Sequence, residues 1–63
     1  MMNTFELARR LGGGAMLKSP GGQRYRISDW SVGTRHVFGH PVFRDGSLGQ
    51  YQELPSNLQS EEA

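Results

Sequence analysis

The sequence predicts a small α+β fold, in which a short N-terminal helix packs on an antiparallel β-meander of three or four strands. Three runs rich in aromatic and β-branched residues, 25–32, 35–43 and 48–54, provide the main signal. They are separated by Gly33-Thr34 and by Asp45-Gly46. An Asp-Gly pair between two such runs favours a hairpin, because glycine adopts positive φ without a Cβ clash. A segment with helical periodicity precedes them and supplies the α part of the fold.

The helix is predicted to begin after Asn3 and to end at the glycine run 12–14. Asn3 and Glu6 have the spacing of a capping box, in which the first side chain accepts a hydrogen bond from the backbone N–H of the second residue. The apolar stripe at helical spacing consists of Phe5, Leu7, Ala8 and Leu11. Because so short a helix is unstable alone, we expect this stripe to pack on the sheet.

The hairpin loops determine which side chains share a face of the sheet. With Gly33-Thr34 as a two-residue loop, Tyr25 lies opposite Val42 and Ile27 lies opposite His40; the next hairpin places His40 opposite Tyr51. In this register one face carries Trp30, Val37, Phe43, Leu48 and Leu54, and the other carries Tyr25, Ile27, Phe38 and Val42. One short helix covers only one of these apolar faces, so we expect the sheet to curl into a barrel or a second subunit to cover the other face.

The turn-rich meander of residues 24–54 resembles SH3-like barrels in its general architecture, and the resemblance implies a partly closed barrel. Residues 1–54 are predicted to form a single domain. Residues 55–63 contain one Leu and end in acidic residues, which is typical of a flexible tail.

Composition excludes several classes of protein. The chain has no Cys, so disulfides, thiolate zinc sites and Cys nucleophiles are not possible. It has no apolar run long enough for a membrane span and no signal-peptide pattern at its start, so we expect a cytoplasmic protein without a membrane partner. A chain of 63 residues buries only about 60% of its unfolded surface on folding. Association with a partner is one way to offset this small core.

The formal charge of +1 conceals an asymmetry along the chain. Residues 1–44 hold all seven Lys and Arg and two acidic residues, for a charge of +5, whereas residues 45–63 hold four acidic residues and a charge of −4. The basic part either offers a site to an anionic partner or is covered by the acidic segment.

His36, His40 and Asp29 are the residue types that could carry catalysis or bind a metal. Gly39 and Pro41 prevent a helix across the two histidines, and on a strand their Cα atoms are about 13 Å apart, too far for one ion. An acid/base pair of Asp29 with a histidine also requires a pocket, which a small sheet scarcely provides. We therefore predict no catalytic site, no metal or other cofactor, and no small-molecule substrate.

The favoured function is a small non-enzymatic interaction module that binds another protein or a second copy of itself. The prediction rests on the two apolar faces of the sheet, because exposed aromatic faces are rare on stable monomers. The small size is also typical of accessory proteins of phages and mobile elements. The residues predicted at this interface are Trp30, Val37, Phe38 and Phe43.

The alternative function is binding of nucleic acid by a basic and aromatic face of the sheet. Basic strands interleaved with aromatic residues bind single strands, because the cations follow the phosphates and the rings stack on bases. The residues predicted to contact phosphates are Arg24, Arg26, Arg35 and Arg44.

Overall fold

The computed structural model describes residues 2–61, and these residues form one helix and five strands. In chain order the elements are α1 (Thr4–Leu11), β1 (Met16–Lys18), β2 (Arg24–Ser31), β3 (His36–Val42), β4 (Gln52–Glu53) and β5 (Gln59–Ser60). All strand pairs are antiparallel, and the sheet has the order β4-β3-β2-β1-β5 without closing into a barrel. The α+β class is confirmed, with one strand more than predicted. Within residues 2–61, no helix has the length and apolar character needed to cross a membrane.

Helix α1 begins and ends where the sequence predicted. The side chain of Asn3 accepts a hydrogen bond of 2.9 Å from the backbone N–H of Glu6, and Gly12 ends the helix at a φ of +85°. The buried side chains all lie in the first part of the helix, at Thr4, Phe5, Leu7 and Ala8. Leu11 is 51% exposed, so its assignment to the packed stripe was wrong: it is the last helical residue, beyond the part that packs on the sheet.

Strands β2 and β3 pair in two registers, which are separated by a bulge between Ile27 and Asp29. Residues 29–31 pair as predicted. On the other side of the bulge the predicted register was wrong by one position, because Ile27 faces Gly39 and Tyr25 faces Pro41. Gly39 permits this close pairing: a Cβ there would overlap the carbonyl oxygen of Arg26.

The bulge collects the apolar side chains of β2 on one face of the sheet. Side chains alternate along a strand, and one extra residue reverses the alternation. Tyr25, Ile27 and Trp30 therefore all lie on the helix-covered face, so the predicted division of side chains between the two faces was wrong, although Phe38 and Val42 do lie on the other face. The buried cluster under the helix consists of Phe5, Leu7, Ala8, Leu17, Ile27, Val37, Leu54 and Leu58, with Ala15, Tyr25 and Trp30 packed against it.

The loop between β2 and β3 is longer than predicted. The last pair of the hairpin is Ser31–His36, so the loop comprises residues 32–35 rather than Gly33-Thr34 alone. The backbone N–H of Arg35 donates to the carbonyl of Ser31 at 2.7 Å, and Arg35 has a φ of +60°. The second predicted hairpin register holds for the observed pairs Phe38–Glu53 and Gly39–Gln52. Nearer the turn it was wrong by one position, because Leu48 pairs with Val42 rather than with Phe43.

The segment after residue 54 belongs to the fold rather than to a flexible tail. Leu58 is 1% exposed in the core, and strand β5 pairs with β1. Buried Thr4 ties this segment to the helix: its hydroxyl donates to the carbonyl of Pro55 at 2.6 Å and accepts from the N–H of Leu58 at 3.0 Å. The prediction of a flexible segment 55–63 was therefore wrong for residues 55–61, and its last two residues lie outside the described part.

Candidate binding face of the sheet

The helix covers one face of the sheet and leaves the other face open. Because Ile27 and Val37 point into the core, alternation places Arg26, Phe38 and His40 on the opposite side. We call this side the open face. Its main side chains are Lys18, Arg24, Arg26, Asp29, His36, Phe38, His40, Tyr51 and Glu53.

Four aromatic side chains contact one another in a row on the open face, and we call them the ring cluster: His36, Phe38, Tyr51 and His40. The rings of Phe38 and Tyr51 are nearly parallel, with centroids 5.9 Å apart and 12° between their planes. His40 contacts Tyr51 edge-on at 5.6 Å, and His36 contacts Phe38 edge-on at 6.5 Å. Tyr51 is 54% exposed, so the cluster presents aromatic surface outside the core.

Hydrogen bonds fix the orientation of the two rings nearest the β3–β4 connection. The hydroxyl of Tyr51 donates to Oδ1 of Asp29 at 2.7 Å. This bond to a carboxylate favours the neutral phenol and raises the pKa of Tyr51. His40 Nδ1 lies 3.0 Å from the carbonyl oxygen of Gly49, and a carbonyl only accepts, so Nδ1 carries the proton. The ring cluster is thus held in place within the monomer.

Cations lie beside the ring cluster on β1 and β2. Arg24 holds both carboxylate oxygens of Glu61, with Nε 2.7 Å from Oε2 and Nη2 3.4 Å from Oε1. The hydrogen bond raises the pKa of Arg24 and lowers the pKa of Glu61. Lys18 is paired with Arg24 across β1 and β2. Arg26 is exposed, and its side chain makes no hydrogen bond or ion pair with any of residues 2–61.

A groove of about 550 Å³ runs between the β1–β2 turn and the end of β3. It is lined by residues 21–24 and 42–44. Arg24 and Arg44 both line this groove, and Phe43, which is 50% exposed, lines it next to Arg44. Two arginines and one aromatic residue therefore border the same depression.

The four residues predicted at a protein interface lie in different environments. Phe38 belongs to the ring cluster, and Phe43 borders the groove. Val37 is 3% exposed in the core, and Trp30 packs against that core on the helix-covered side. In the folded monomer, Phe38 and Phe43 are accessible to a partner, whereas Val37 is not.

The structure brings three of the four predicted arginines together. Arg24 and Arg26 are on the open face, and Arg44 lines the same groove as Arg24. Arg35 is in the β2–β3 loop, where it lines a separate groove of about 230 Å³ together with His36 and residues at the start of the helix.

The candidate acid/base residues have other partners. Asp29 binds the Tyr51 hydroxyl, and His36 Nδ1 lies 3.8 Å from a carboxylate oxygen of Glu53 at the exposed rim. Among residues 2–61 there is no group of three or more His, Asp and Glu side chains that could hold a metal ion.

Lys18 was not among the predicted site residues, and neither was Tyr51. For Tyr51, its predicted position opposite His40 was the available signal, because residues on opposite strands of a pair contact each other on the same face. The contribution of Asp29 could not be foreseen in the same way, since it depends on where the bulge falls.

No protein-family model, curated protein or solved structure with which we compared the chain matches it.

Proposed function

We propose that the protein is a small non-enzymatic binding module that holds a single-stranded nucleic acid on its open face. The observation that carries this proposal is the ring cluster beside Lys18, Arg24 and Arg26. Single strands are bound where rings stack on successive bases and cations follow the backbone. The open face combines both elements on the central strands β2 and β3 and the adjoining Tyr51.

Stacking is the energetic basis of the proposal. A base on an aromatic side chain contributes about 1–3 kcal/mol by alanine substitution. Phe38 and Tyr51 already stack on each other, and Tyr51 is 54% exposed, so a base can extend this stack on ring surface that points away from the pair. Because all bases have a π face, this arrangement favours binding with little sequence preference.

Tyr51 allows the stacking contribution to be tested with a matched control. Tyr51→Leu removes the ring but keeps an apolar side chain, whereas Tyr51→Phe keeps the ring; both lose the hydrogen bond to Asp29. Binding of a fluorescent oligothymidine of about eight nucleotides is followed by fluorescence anisotropy in about 50 mM salt. We expect Tyr51→Leu to weaken binding about tenfold and Tyr51→Phe to leave it nearly unchanged.

Two results would contradict the proposal. One is the absence of wild-type binding to single-stranded DNA and RNA at low salt. The other is an equal loss in the Leu and Phe variants when circular dichroism shows both to be folded, since the ring would then have no role.

The cations provide a second test, through the salt dependence of binding. Removing one cation from a phosphate reduces the slope of log affinity against log salt by about 1. Replacing Arg24 and Arg26 together by Gln should weaken binding to all sequences and reduce the slope by about 1 to 2. An unchanged slope would show that these arginines do not bind phosphates.

Binding of a protein, or of a second copy of the chain, is the second candidate function. Its specific support is the exposed apolar surface near the β3–β4 connection, where Phe43, Leu48 and Tyr51 are each between 43% and 54% exposed. A polar residue at Phe38 or Phe43 should then convert a dimer that forms at micromolar concentration into a folded monomer. Sedimentation of the wild type as a 7.0 kDa monomer up to millimolar concentration would contradict self-association.

A further inference from the structure

The pair formed by Arg24 and Glu61 has the geometry by which arginine binds a phosphate. Both carboxylate oxygens are held by two nitrogens of one guanidinium, at 2.7 and 3.4 Å. Such a two-point contact suits carboxylates and phosphates alike, because each presents two oxygens in the plane of the guanidinium fork.

We propose that Arg24 and the groove beside it, which Arg44 also lines, bind neighbouring phosphates of the bound strand, and that the Glu61 carboxylate, which lies outside the groove, occupies the phosphate position on Arg24 until the strand displaces it. The inference rests on the proposed function, because the phosphates are those of the nucleic acid held on the open face. Beyond that function, it specifies where the strand passes after the ring cluster, and it identifies the Glu61 carboxylate as a competitor for the phosphate.

Space and charge at the groove support this assignment. The groove has a volume of about 550 Å³. Arg44, which lines the groove together with Arg24, has a side chain that makes no hydrogen bond or ion pair with residues 2–61. The Phe43 ring beside it is 50% exposed and can contact the base or sugar next to the phosphate. A strand that leaves the ring cluster past Arg24 therefore passes a depression that a second arginine also lines.

The exposure of the ion pair makes displacement feasible. The side chains of Arg24 and Glu61 are 50% and 31% exposed, and pairs as accessible as this one contribute little to stability. Glu61 follows β5 directly, so its carboxylate can leave Arg24 without any change in the strand pairing of Gln59 and Ser60.

Glu61→Gln tests the competitor, with Glu6→Gln as a control of equal charge. Glu6 is exposed on helix α1, on the other side of the sheet. In the oligothymidine anisotropy assay, we expect Glu61→Gln to tighten binding about two- to fivefold and Glu6→Gln to have almost no effect. In a background of Arg24→Gln, Glu61→Gln should have no further effect, because the two residues act through one interaction.

Arg44→Gln tests the subsite itself, with Arg10→Gln on the helix as the control. We expect Arg44→Gln to weaken binding about two- to fivefold and Arg10→Gln to leave it unchanged. Free pyrophosphate is added as a competitor, because a site for isolated phosphate compounds would release the oligonucleotide at low millimolar pyrophosphate. The strand subsite proposed here should not release the oligonucleotide at that concentration, since the rings also hold the strand.

The outcomes separate this inference from the proposed function. If the wild type binds the oligonucleotide and Glu61→Gln binds no more tightly, competition by Glu61 is refuted while the proposed function stands. Equal effects of Glu61→Gln and Glu6→Gln, or persistence of the Glu61→Gln effect without Arg24, also refute it. If neither the wild type nor any variant binds a single strand, both the function and the inference fail.

Discussion

At Gly39 the backbones of β2 and β3 approach so closely that a side chain cannot be accommodated. A Cβ at this position would overlap the carbonyl oxygen of Arg26 and lie 3.2 Å from the Cα of Ile27. Both neighbours are backbone atoms in a paired strand, so they cannot move aside independently. The register that brings the ring cluster to the open face therefore depends on this single glycine.

Gly39→Ala is expected to destabilise the protein by about 3 kcal/mol or more, since overpacking against backbone forces the two strands apart. Gly33→Ala is the control: a Cβ at Gly33 meets no atom within 4 Å, and its φ is not positive. That variant should change stability by less than about 0.5 kcal/mol. Thermal and urea denaturation give both values; similar stabilities for the two variants would refute the close approach at Gly39.

The pKa of Tyr51 should report on the hydrogen bonding of the open face. Its hydrogen bond to the Asp29 carboxylate raises the pKa of the phenol in the folded state. The bond therefore stabilises the fold below the pKa of an unfolded tyrosine, about 10, and the contribution is lost as the pH rises through the higher folded-state pKa. Asp29→Ala should lower the pKa of Tyr51 toward its ordinary value.

NMR titration of the Tyr51 ring signals measures this pKa in the folded protein. The melting temperature of the wild type, relative to that of Tyr51→Phe, should decline as the pH rises above about 10. If the ring titrates identically in wild type and Asp29→Ala, the hydrogen bond does not form in solution.

At the scale of elements, Thr4 connects the start of α1 to the segment that leads into β5. Its hydroxyl satisfies the carbonyl of Pro55 and the N–H of Leu58, and Thr4 itself is 1% exposed. A further hydrogen bond of 3.2 Å runs from the backbone N–H of Thr4 to the carbonyl of Ser56. The helix and the C-terminal segment therefore pack as one unit on the sheet.

Thr4→Val should destabilise the protein by about 2 to 3 kcal/mol, because the isosteric change leaves two backbone groups without their partner. Thr4→Ser keeps the hydroxyl and removes one methyl, so it should cost only about 1 kcal/mol. Chemical denaturation of the two variants measures the difference. Equal losses of stability would indicate that packing of the methyl, rather than the hydroxyl, holds the segment.

Local signals predicted some elements of the fold, and long-range contacts determined the rest. Two features depend on residues within one helical turn and could therefore be predicted from the sequence: the cap at Asn3 and Glu6, and the end of the helix at Gly12. The bulge in β2 lies beside the close backbone approach of Gly39, which is on another strand. Strand β5 has no apolar alternation of its own and is positioned by buried Leu58. Such features depend on contacts between residues that are far apart in the sequence, and the local sequence pattern does not reveal these contacts.

At the scale of the whole molecule, the sheet has one face in the core and one face available for contacts. The sequence predicted that the acidic segment either leaves the basic part open or covers it. The structure has Glu61 on Arg24 and close enough to Lys18 to feel its charge, while the side chains of Arg26 and Arg44 make no ion pair with residues 2–61. Among residues 2–61, the acidic segment thus pairs with part of the basic surface.

Mapping of the contact surface by NMR tests the central claim, that the open face is the binding surface. Backbone amide signals of the ¹⁵N-labelled protein are followed during titration with oligothymidine at low salt. We expect shifts concentrated at Arg26, Phe38, His40 and Tyr51, with the signals of helix α1 nearly unchanged. Shifts confined to the helix, or no shift in any part of the chain, would contradict the claim.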